Sequence, residues 1–388
     1  MNKETGYNPA IRRTVIGTTI PHLREERLKH ILKKRYMEKI NNQPPKTIKI
    51  IAGPCSVESR EQVFKTAQFL SESSKIDLFR CGIWKPRSSP NSFEGIGEKA
   101  LPWLKEIETR YKIPVCIEIA TPQHLELAVK VGIKHFWIGA RTSVNPFSVQ
   151  ELATASQGLD ISMMIKNPVS PDLQLWSGNF ERFTKAGIQR LAAVYRGFST
   201  ANLLPYRNDP MWKFLIEFKR IHKEIPVYCD PSHIAGKREY IYEIAQRALF
   251  LDVDGLMIEV HANPDAALSD HEQQLSVPEF SKLMSELIIP SKLVSQDITM
   301  KKYRTYLDII DNELFQLLAK RLEVVKDIAQ YKKEHHIPIL QIDRWSEVYN
   351  NLLQLGKTLN IEPSVAETFL SFLHETSIQQ QEKIIKFQ

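Results

Sequence analysis

The sequence predicts an α/β protein, a (β/α)8 TIM barrel followed by a small all-α domain of three helices. Two observations lead to this prediction. From Thr47 to about residue 288, eight apolar runs of strand length alternate with helix-length amphipathic segments, which is the count of a (β/α)8 barrel. From Lys301 onward the apolar residues recur at helical spacing instead.

The predicted strands are continuous apolar runs, as is typical of parallel strands buried on both faces. They cover residues 48–52, 78–84, 115–119, 135–139, 162–165, 190–194, 227–229 and 256–260. The predicted helices between them include residues 60–73, 122–131, 147–155, 179–186, 211–223 and 238–248. An open doubly wound sheet is the alternative, but no glycine-rich phosphate loop follows the first strand.

The same patterns predict the domain bounds. Residues 1–46 are a polar, basic extension with a helix over 22–40 that lies on the first domain, on a partner subunit, or is a tail of little consequence. The barrel takes residues 47–288, a linker 289–300, and the all-α domain 301–388.

Three helices are predicted in the all-α domain, over 301–336, 344–358 and 363–386, and Pro338 ends the first. A helix of about 35 residues is roughly 50 Å long, more than a domain of this size wraps alone. We therefore expect a homodimer through this domain.

Composition narrows the function classes. The chain has 388 residues, 43% hydrophobic and 25% charged, with a net charge of +7, which suits a globular protein that handles anionic metabolites. The sequence contains no zinc-finger or RNA-recognition pattern, so nothing in it favours binding to nucleic acid. The apolar runs are too short to span a membrane. Four cysteines without paired spacing and no apolar leader predict a cytoplasmic protein.

Polar residues follow every predicted strand, and in a barrel these strand ends face one pocket. Cys55, His233 and Glu259, with an acid beyond strand eight, form a mixed donor set that suits Mn²⁺, Fe²⁺, Zn²⁺ or Co²⁺ better than Mg²⁺. Asp270 is the candidate for that acid, and Asp265 and Asp254 compete with it.

Cations form two further groups. Four of them follow four different strands. Together they carry too much positive charge for one phosphate, and they suit a substrate with both a phosphate and a carboxylate. These four are Arg80, Arg141, Lys166 and Arg196. A second anion site is predicted in the turn after strand two, at Lys85, Arg87 and Ser88. The residues thus predict a metal-dependent reaction of two anionic substrates.

These motifs together resemble the type I 3-deoxy-D-arabino-heptulosonate 7-phosphate (DAHP) synthases of the β branch. The resemblance covers about residues 47–288 and rests on Gly-Pro-Cys-Ser-Val-Glu, Lys-Pro-Arg-Ser, Gly-Ala-Arg, Ile-Lys-Asn, Tyr-Arg-Gly, Asp-Pro-Ser-His and Ile-Glu-Val-His, in this order. It implies condensation of phosphoenolpyruvate with erythrose 4-phosphate, the first step of the shikimate pathway.

The resemblance also implies residue roles. Cys55, His233, Glu259 and Asp270 would hold the metal, the four cations phosphoenolpyruvate, and Lys85, Arg87 and Ser88 erythrose 4-phosphate. Lys166 or a water on the metal would move protons. The related 3-deoxy-D-manno-octulosonate 8-phosphate synthases carry a Lys-Ala-Asn-Arg type motif where this chain has Lys-Pro-Arg-Ser, so they are the less favoured alternative.

The all-α domain resembles the all-α chorismate mutases over residues 300–387, which implies an intertwined dimer that converts chorismate to prephenate. The resemblance implies carboxylate binding by Arg304 from the partner subunit, Arg321 and Arg344, and contact of the ether oxygen by Lys332 and Gln381. Ser377 lies in the same aligned pattern. Catalysis there is the clamping of a dicarboxylate in a compact conformer.

Two departures from that family concern the substrate hydroxyl. Trp345 replaces the usual Glu after Arg344, with Glu347 two residues on, and Gln341 replaces the acid three residues before that arginine. Two hypotheses follow: a working mutase, or a weak sensor that only binds chorismate or prephenate. We favour a working mutase that also mediates feedback inhibition of the barrel.

Overall fold

A computed structural model describes residues 47–73, 75–85, 93–201, 205–290 and 298–385. The described residues divide into two compact units, of which the second begins after residue 292. The predicted helix over 22–40 lies outside the described residues. In the part of the chain that the structure describes, every helix is too short or too polar to span a bilayer.

The first unit is a closed barrel of eight parallel strands in sequence order, in which the first strand also pairs with the last. The strands are β1 Lys49–Gly53, β2 Leu78–Cys81, β3 Val115–Ile119, β4 His135–Ile138, β5 Ser162–Lys166, β6 Arg190–Tyr195, β7 Val227–Cys229 and β8 Gly255–Glu259. The second unit is built of three helices. The fold class predicted from the sequence is therefore confirmed.

Continuous apolar strands fill two cores, one on each face of the sheet. Alternate side chains point inward and form a separate cluster inside the barrel, which includes Ile51, Trp137, Met164 and Met257. The other side chains pack outward against the helices. Because both faces are buried, the strands show no polar alternation.

Helices surround the sheet, several of them capped by the side chain just before their first residue. In chain order they are α1 Arg60–Ser73, α2 Leu101–Tyr111, α3 Pro122–Lys130, α4 Ala140–Ser143, α5 Pro146–Ala155, α6 Leu173–Lys185, α7 Trp212–Ile221, α8 Pro231–Ala235, α9 Ile241–Phe250 and α10 Val277–Glu286.

Several predicted elements differ from the structure in their bounds, and two of these differences have a local explanation. Strand two was expected to reach residue 84 but ends at Cys81, because the carbonyl of Gly82 accepts from Val57 N and that of Ile83 from Gly97 N instead of from a neighbouring strand. The helix expected over 179–186 begins six residues earlier, where the Asp172 side chain caps it. Helix α2 was not among the predicted segments.

Gly53 ends β1 where the barrel backbone is most crowded. A Cβ on it would lie 2.1 Å from the carbonyl oxygen of Arg80, at a φ of +149°. We expect Gly53→Ala to lower the free energy of unfolding by clearly more than the roughly 1–2 kcal/mol of an unfavourable φ alone. Gly158→Ala is the matched control, since Gly158 also has a positive φ but open space around it. Equal urea midpoints for the two variants would contradict this account.

The second unit consists of α11 Ile298–Glu334, α12 Ile342–Thr358 and α13 Pro363–Ile385. Helix α11 has 37 residues, about 55 Å at 1.5 Å per residue. It begins at Ile298, three residues before the predicted start. Large apolar side chains on it stay exposed in the single chain, among them Leu307, Ile310, Leu314, Leu317 and Ile328.

Candidate active site

A cavity of about 560 Å³ opens at the carboxyl ends of the barrel strands. Its lining is dominated by charged side chains, six of which the sequence had singled out. These are Lys85, Arg141, Lys166, Arg196, His233 and Asp270. Arg87 and Ser88 lie outside the described residues.

Below this cavity, Arg80 and Lys166 form a fully buried ion network with two acids. An Arg80 nitrogen lies 2.9 Å from Oε1 of Glu259, and Lys166 Nζ lies 2.6 Å from Oδ2 of Asp230. Within the described residues, Nε and one terminal nitrogen of Arg80 have no hydrogen-bond partner. Buried donors of this kind favour an anionic ligand.

Asp230 has two roles in this network. It is the N-cap of α8, where Oδ1 accepts from His233 N at 3.0 Å, and its Oδ2 lies 2.9 Å from Nδ1 of the same histidine. Burial opposes ionisation, but His233 and Lys166 hold the pKa of this carboxyl well below its usual range. The sequence marked Asp230 only as part of a strand-end motif.

Trp137 lies under both cations inside the barrel. The guanidinium carbon of Arg80 is 5.2 Å and Lys166 Nζ is 5.9 Å from its ring centroid. A tryptophan face attracts cations, so this ring adds an apolar wall that still favours positive charge. Trp137 was predicted only as part of an apolar strand, because nothing in the sequence indicates which cations meet it.

Lys85 and Glu118 form a second buried pair, 2.9 Å apart. Burial would raise the pKa of Glu118, but Lys85 and Lys166 lower it below its usual value. Gly139 faces this pair, and a Cβ there would come within 2.1 Å of Oε1 of Glu118. The Gly-Ala-Arg motif therefore leaves room for Glu118 as well as supplying Arg141.

Burial shifts the pKa of two cations that line the cavity, Arg196 and Lys166. Burial lowers the pKa of Arg196 to about 10 and lowers that of Lys166 despite the neighbouring Asp230. Each cation would recover a favourable environment if an anion entered the cavity. The cavity is therefore suited to an anionic ligand with several charged oxygens.

The predicted metal ligands lie together as two adjoining pairs. Cys55 Sγ is 3.1 Å from Oδ2 of Asp270, and Nε2 of His233 is 3.8 Å from Oε1 of Glu259. Burial, and next the charge of Glu259, raise the pKa of the Cys55 thiol to about 12. Among the residues that the structure describes, no three His, Cys, Asp or Glu side chains lie close enough together to hold a metal ion, so the four predicted ligands meet only as these pairs.

Of the three candidate acids, only Asp270 contacts another predicted ligand. Asp265 is exposed and pairs with Arg238 at 2.7 Å. Asp254 precedes β8, at the opposite end of the barrel, where Oδ2 accepts from Val227 N. The donor types, though not yet their spacing, suit a divalent transition-metal ion.

A second candidate site lies in the helical unit. Arg321 donates to Oγ of Ser377 at 2.7 Å, which joins α11 to α13. Lys332 is buried and donates to the carbonyl of Ile339 at 2.6 Å, and Gln381 is buried on α13 with no partner for Oε1 among the described residues. These four side chains therefore place hydrogen-bond donors and acceptors on helices α11 and α13.

Two predicted residues of this site, Arg304 and Arg344, form no hydrogen bond with the other four within the described part of the single chain. Arg304 is exposed on α11, and Arg344 is exposed and pairs with Glu347 at 2.6 Å. Trp345 stacks on His374 with ring centroids 3.9 Å apart. Trp345 therefore packs against α13 and supplies no acid beside Arg344.

Comparison with known proteins identifies both units. The model of the DAHP synthetase I family matches residues 34–291, and that of chorismate mutase type II matches residues 303–382. The phospho-2-dehydro-3-deoxyheptonate aldolase of Thermotoga maritima is 31% identical over 238 residues, covering 61% of this chain and 68% of that protein. A 2-dehydro-3-deoxyphosphooctonate aldolase of Francisella tularensis is 28% identical over 265 residues, covering 61% and 90%.

Solved structures agree with this result. The crystal structure of the Thermotoga maritima DAHP synthase superposes with a TM-score of 0.55 at 30% identity, covering 62% of this chain and 67% of that one. A truncated form of the same enzyme gives a TM-score of 0.53 at 27% identity, covering 67% and 87%. The chain belongs to the DAHP synthetase I family, and its synthase barrel is followed by a chorismate mutase type II domain.

Proposed function

We propose that the barrel condenses phosphoenolpyruvate with erythrose 4-phosphate in a metal-dependent reaction that yields DAHP and phosphate. The observation that carries the proposal is the convergence of strand-end cations on one cavity, with buried Arg80 and two acids beneath it. The cations that line the cavity include Lys85, Arg141, Lys166 and Arg196. The domain bounds that we propose are 47–288 for the barrel, 289–300 for the linker and 301–388 for the mutase, with α11 beginning at Ile298.

Phosphoenolpyruvate carries a phosphate and a carboxylate, which need several cations at fixed spacing. We assign this role to Arg80, Arg141, Lys166 and Arg196. Two nitrogens of buried Arg80 have no hydrogen-bond partner among the described residues, which supports the assignment. Lys85, held by Glu118, would bind erythrose 4-phosphate together with Arg87 and Ser88. Such binding aligns C3 of the enol with the aldehyde carbon.

Cys55, His233, Glu259 and Asp270 would hold a divalent metal, Mn²⁺ or otherwise Fe²⁺, Co²⁺ or Zn²⁺. When bound, the metal would polarise the aldehyde oxygen as a Lewis acid. The cations would hold the enol phosphate while positive charge develops at its C2, before water adds there and phosphate leaves. Lys166 Nζ is the proposed proton carrier, since burial lowers its pKa and thereby eases loss of its proton.

The test is an assay of phosphate release from phosphoenolpyruvate after treatment with a chelator. We expect release with erythrose 4-phosphate, its loss on chelation, and its recovery on adding Mn²⁺. Arabinose 5-phosphate is the control substrate. A preference for this pentose phosphate would indicate an octulosonate synthase, and full activity without metal would contradict metal dependence.

For the helical unit we propose conversion of chorismate to prephenate in a homodimer. The exposed apolar side chains along α11 support a partner there, and Arg304 would reach the partner's site. Arg321, Ser377 and Arg344 would bind carboxylates, with Lys332 and Gln381 at the ether oxygen. Light scattering on the full chain tests the dimer, and a monomer would contradict it.

The alternative is a sensor with little mutase activity. It is favoured by Trp345, which stands where the resembled family has an acid and packs on His374 instead. We favour an active mutase whose bound prephenate or chorismate also inhibits the barrel. Adding prephenate to the full chain should then slow phosphate release.

A further inference from the structure

A hydrogen-bonded bridge joins the two pairs of proposed metal ligands. Arg207 donates to Oδ1 of Asp270 at 2.8 Å and to Oε1 of Gln273 at 2.7 Å. Gln273 in turn donates through Nε2 to Oε2 of Glu259 at 2.7 Å. The two carboxylates are thus connected through Arg207 and Gln273, neither of which the sequence analysis singled out.

We propose that Arg207 and Gln273 are positioning residues that fix the spacing of the Glu259 and Asp270 carboxylates and thereby set the affinity of the barrel for its divalent metal. This inference rests on the metal site of the proposed function. Neither residue would contact the metal itself.

The bridge uses one oxygen of each carboxylate and leaves the other toward the remaining ligands. On Asp270, Oδ1 accepts from Arg207, while Oδ2 lies 3.1 Å from Cys55 Sγ. On Glu259, Oε2 accepts from Gln273, while Oε1 accepts from Arg80 at 2.9 Å and lies 3.8 Å from His233 Nε2. The bridge therefore holds one oxygen of each carboxylate, and the oxygen beside the other proposed ligands keeps a defined direction, on Glu259 with the help of Arg80.

The chemistry of the bridge allows only one orientation of Gln273. A guanidinium can only donate, so it must meet the amide oxygen, and an ionised carboxylate can only accept, so it must meet the amide nitrogen. Gln273 is 1% exposed, so water does not readily replace either partner. A buried amide satisfied at both ends is a stiff spacer.

A simpler explanation is that Arg207 only tethers the loop that carries Asp270. The same loop is tethered by Arg238, which donates to the backbone carbonyls of His271 and Gln274 at 2.9 and 2.7 Å. Arg238 touches neither proposed ligand carboxylate. It therefore offers a control that loosens the loop and leaves the bridge intact.

The test is titration of the chelator-treated full chain with Mn²⁺ by calorimetry, with Co²⁺ absorption as a second readout of ligand geometry. We expect Arg207→Met and Gln273→Met each to weaken Mn²⁺ binding about 10- to 100-fold, the range for loss of groups that orient metal ligands. The double variant should be little worse than either single one, because both remove the same bridge. Arg207→Lys, which keeps the charge, provides a second variant if Arg207→Met fails to fold.

Two controls separate the possible failures. Cys55→Ala tests the metal site, and unchanged Mn²⁺ binding by this variant would overturn both the site and this inference. If Cys55→Ala abolishes binding but Arg207→Met and Gln273→Met bind like the wild type, the site stands and the bridge has no role. If Arg238→Met weakens binding as much as Arg207→Met, loop tethering explains the effect and the inference is wrong.

Discussion

Replacing Asp230 by alanine is expected to lower the free energy of unfolding of the barrel by about 3–5 kcal/mol, the cost of removing one partner from a buried ion pair. Its carboxylate and both partner cations, Lys166 and Arg80, are almost wholly inaccessible to water. Without Asp230, Lys166 loses its partner at 2.6 Å and keeps the cost of burying its charge. Urea unfolding followed by tryptophan fluorescence measures the change.

Two further variants test that explanation. Asp160→Ala removes an exposed acid that pairs with Lys134 and Arg190, and exposed pairs contribute little, so its urea midpoint should stay near that of the wild type. Adding Lys166→Met to Asp230→Ala should recover part of the loss, because no unpaired charge then remains. Similar midpoints for Asp230→Ala and Asp160→Ala would show that the network does not stabilise the barrel.

The barrel could be predicted because its signal is local. Each strand is an apolar run of three to six residues and each helix has its own amphipathic pattern, so counting them is enough. The ends of elements were predicted less well. Strand two stops at Cys81 because of hydrogen bonds to Val57 and Gly97, and such partners from distant parts of the chain are not visible in a local pattern.

Residue types at strand ends could likewise be predicted, but not their pairings. Barrel closure brings Arg80 next to Glu259, 179 positions away, and Lys166 next to Asp230, 64 positions away. Arg80 was predicted as a substrate ligand, yet it also holds Glu259. The sequence offers no measure of these distances, since they follow from the shape of the closed sheet.

The residues that the sequence analysis missed lie outside strand-end motifs or look ordinary within them. Arg207 stands in a stretch of sequence without a regular apolar pattern. Gln273 lies in a 3₁₀ turn beside an equally plausible glutamine, Gln274. Trp137 reads as one more apolar strand residue. The role of Gln273 follows from its hydrogen bonds with Arg207 and Glu259, which only the folded structure shows.

Replacing Lys332 by methionine is expected to lower the kcat of prephenate formation by about 10²–10³, the usual loss when one donor to a developing negative charge is removed. Lys332 is 8% exposed and uses one of its three donors on the carbonyl of Ile339, so others remain for the ether oxygen of chorismate. Methionine keeps the length of the side chain and removes the charge. Prephenate formation by the full chain is the measurement.

Lys333→Met is the matched control. Lys333 is the next residue on α11, is exposed, and also donates to a backbone carbonyl, that of Ile384, at 3.2 Å. Because it faces away from the buried Lys332 position, its loss should leave kcat nearly unchanged. Equal kcat losses in the two variants would place the effect in helix packing and remove Lys332 from the catalytic assignment. If the wild type itself forms no prephenate yet binds it, the helical unit is a sensor.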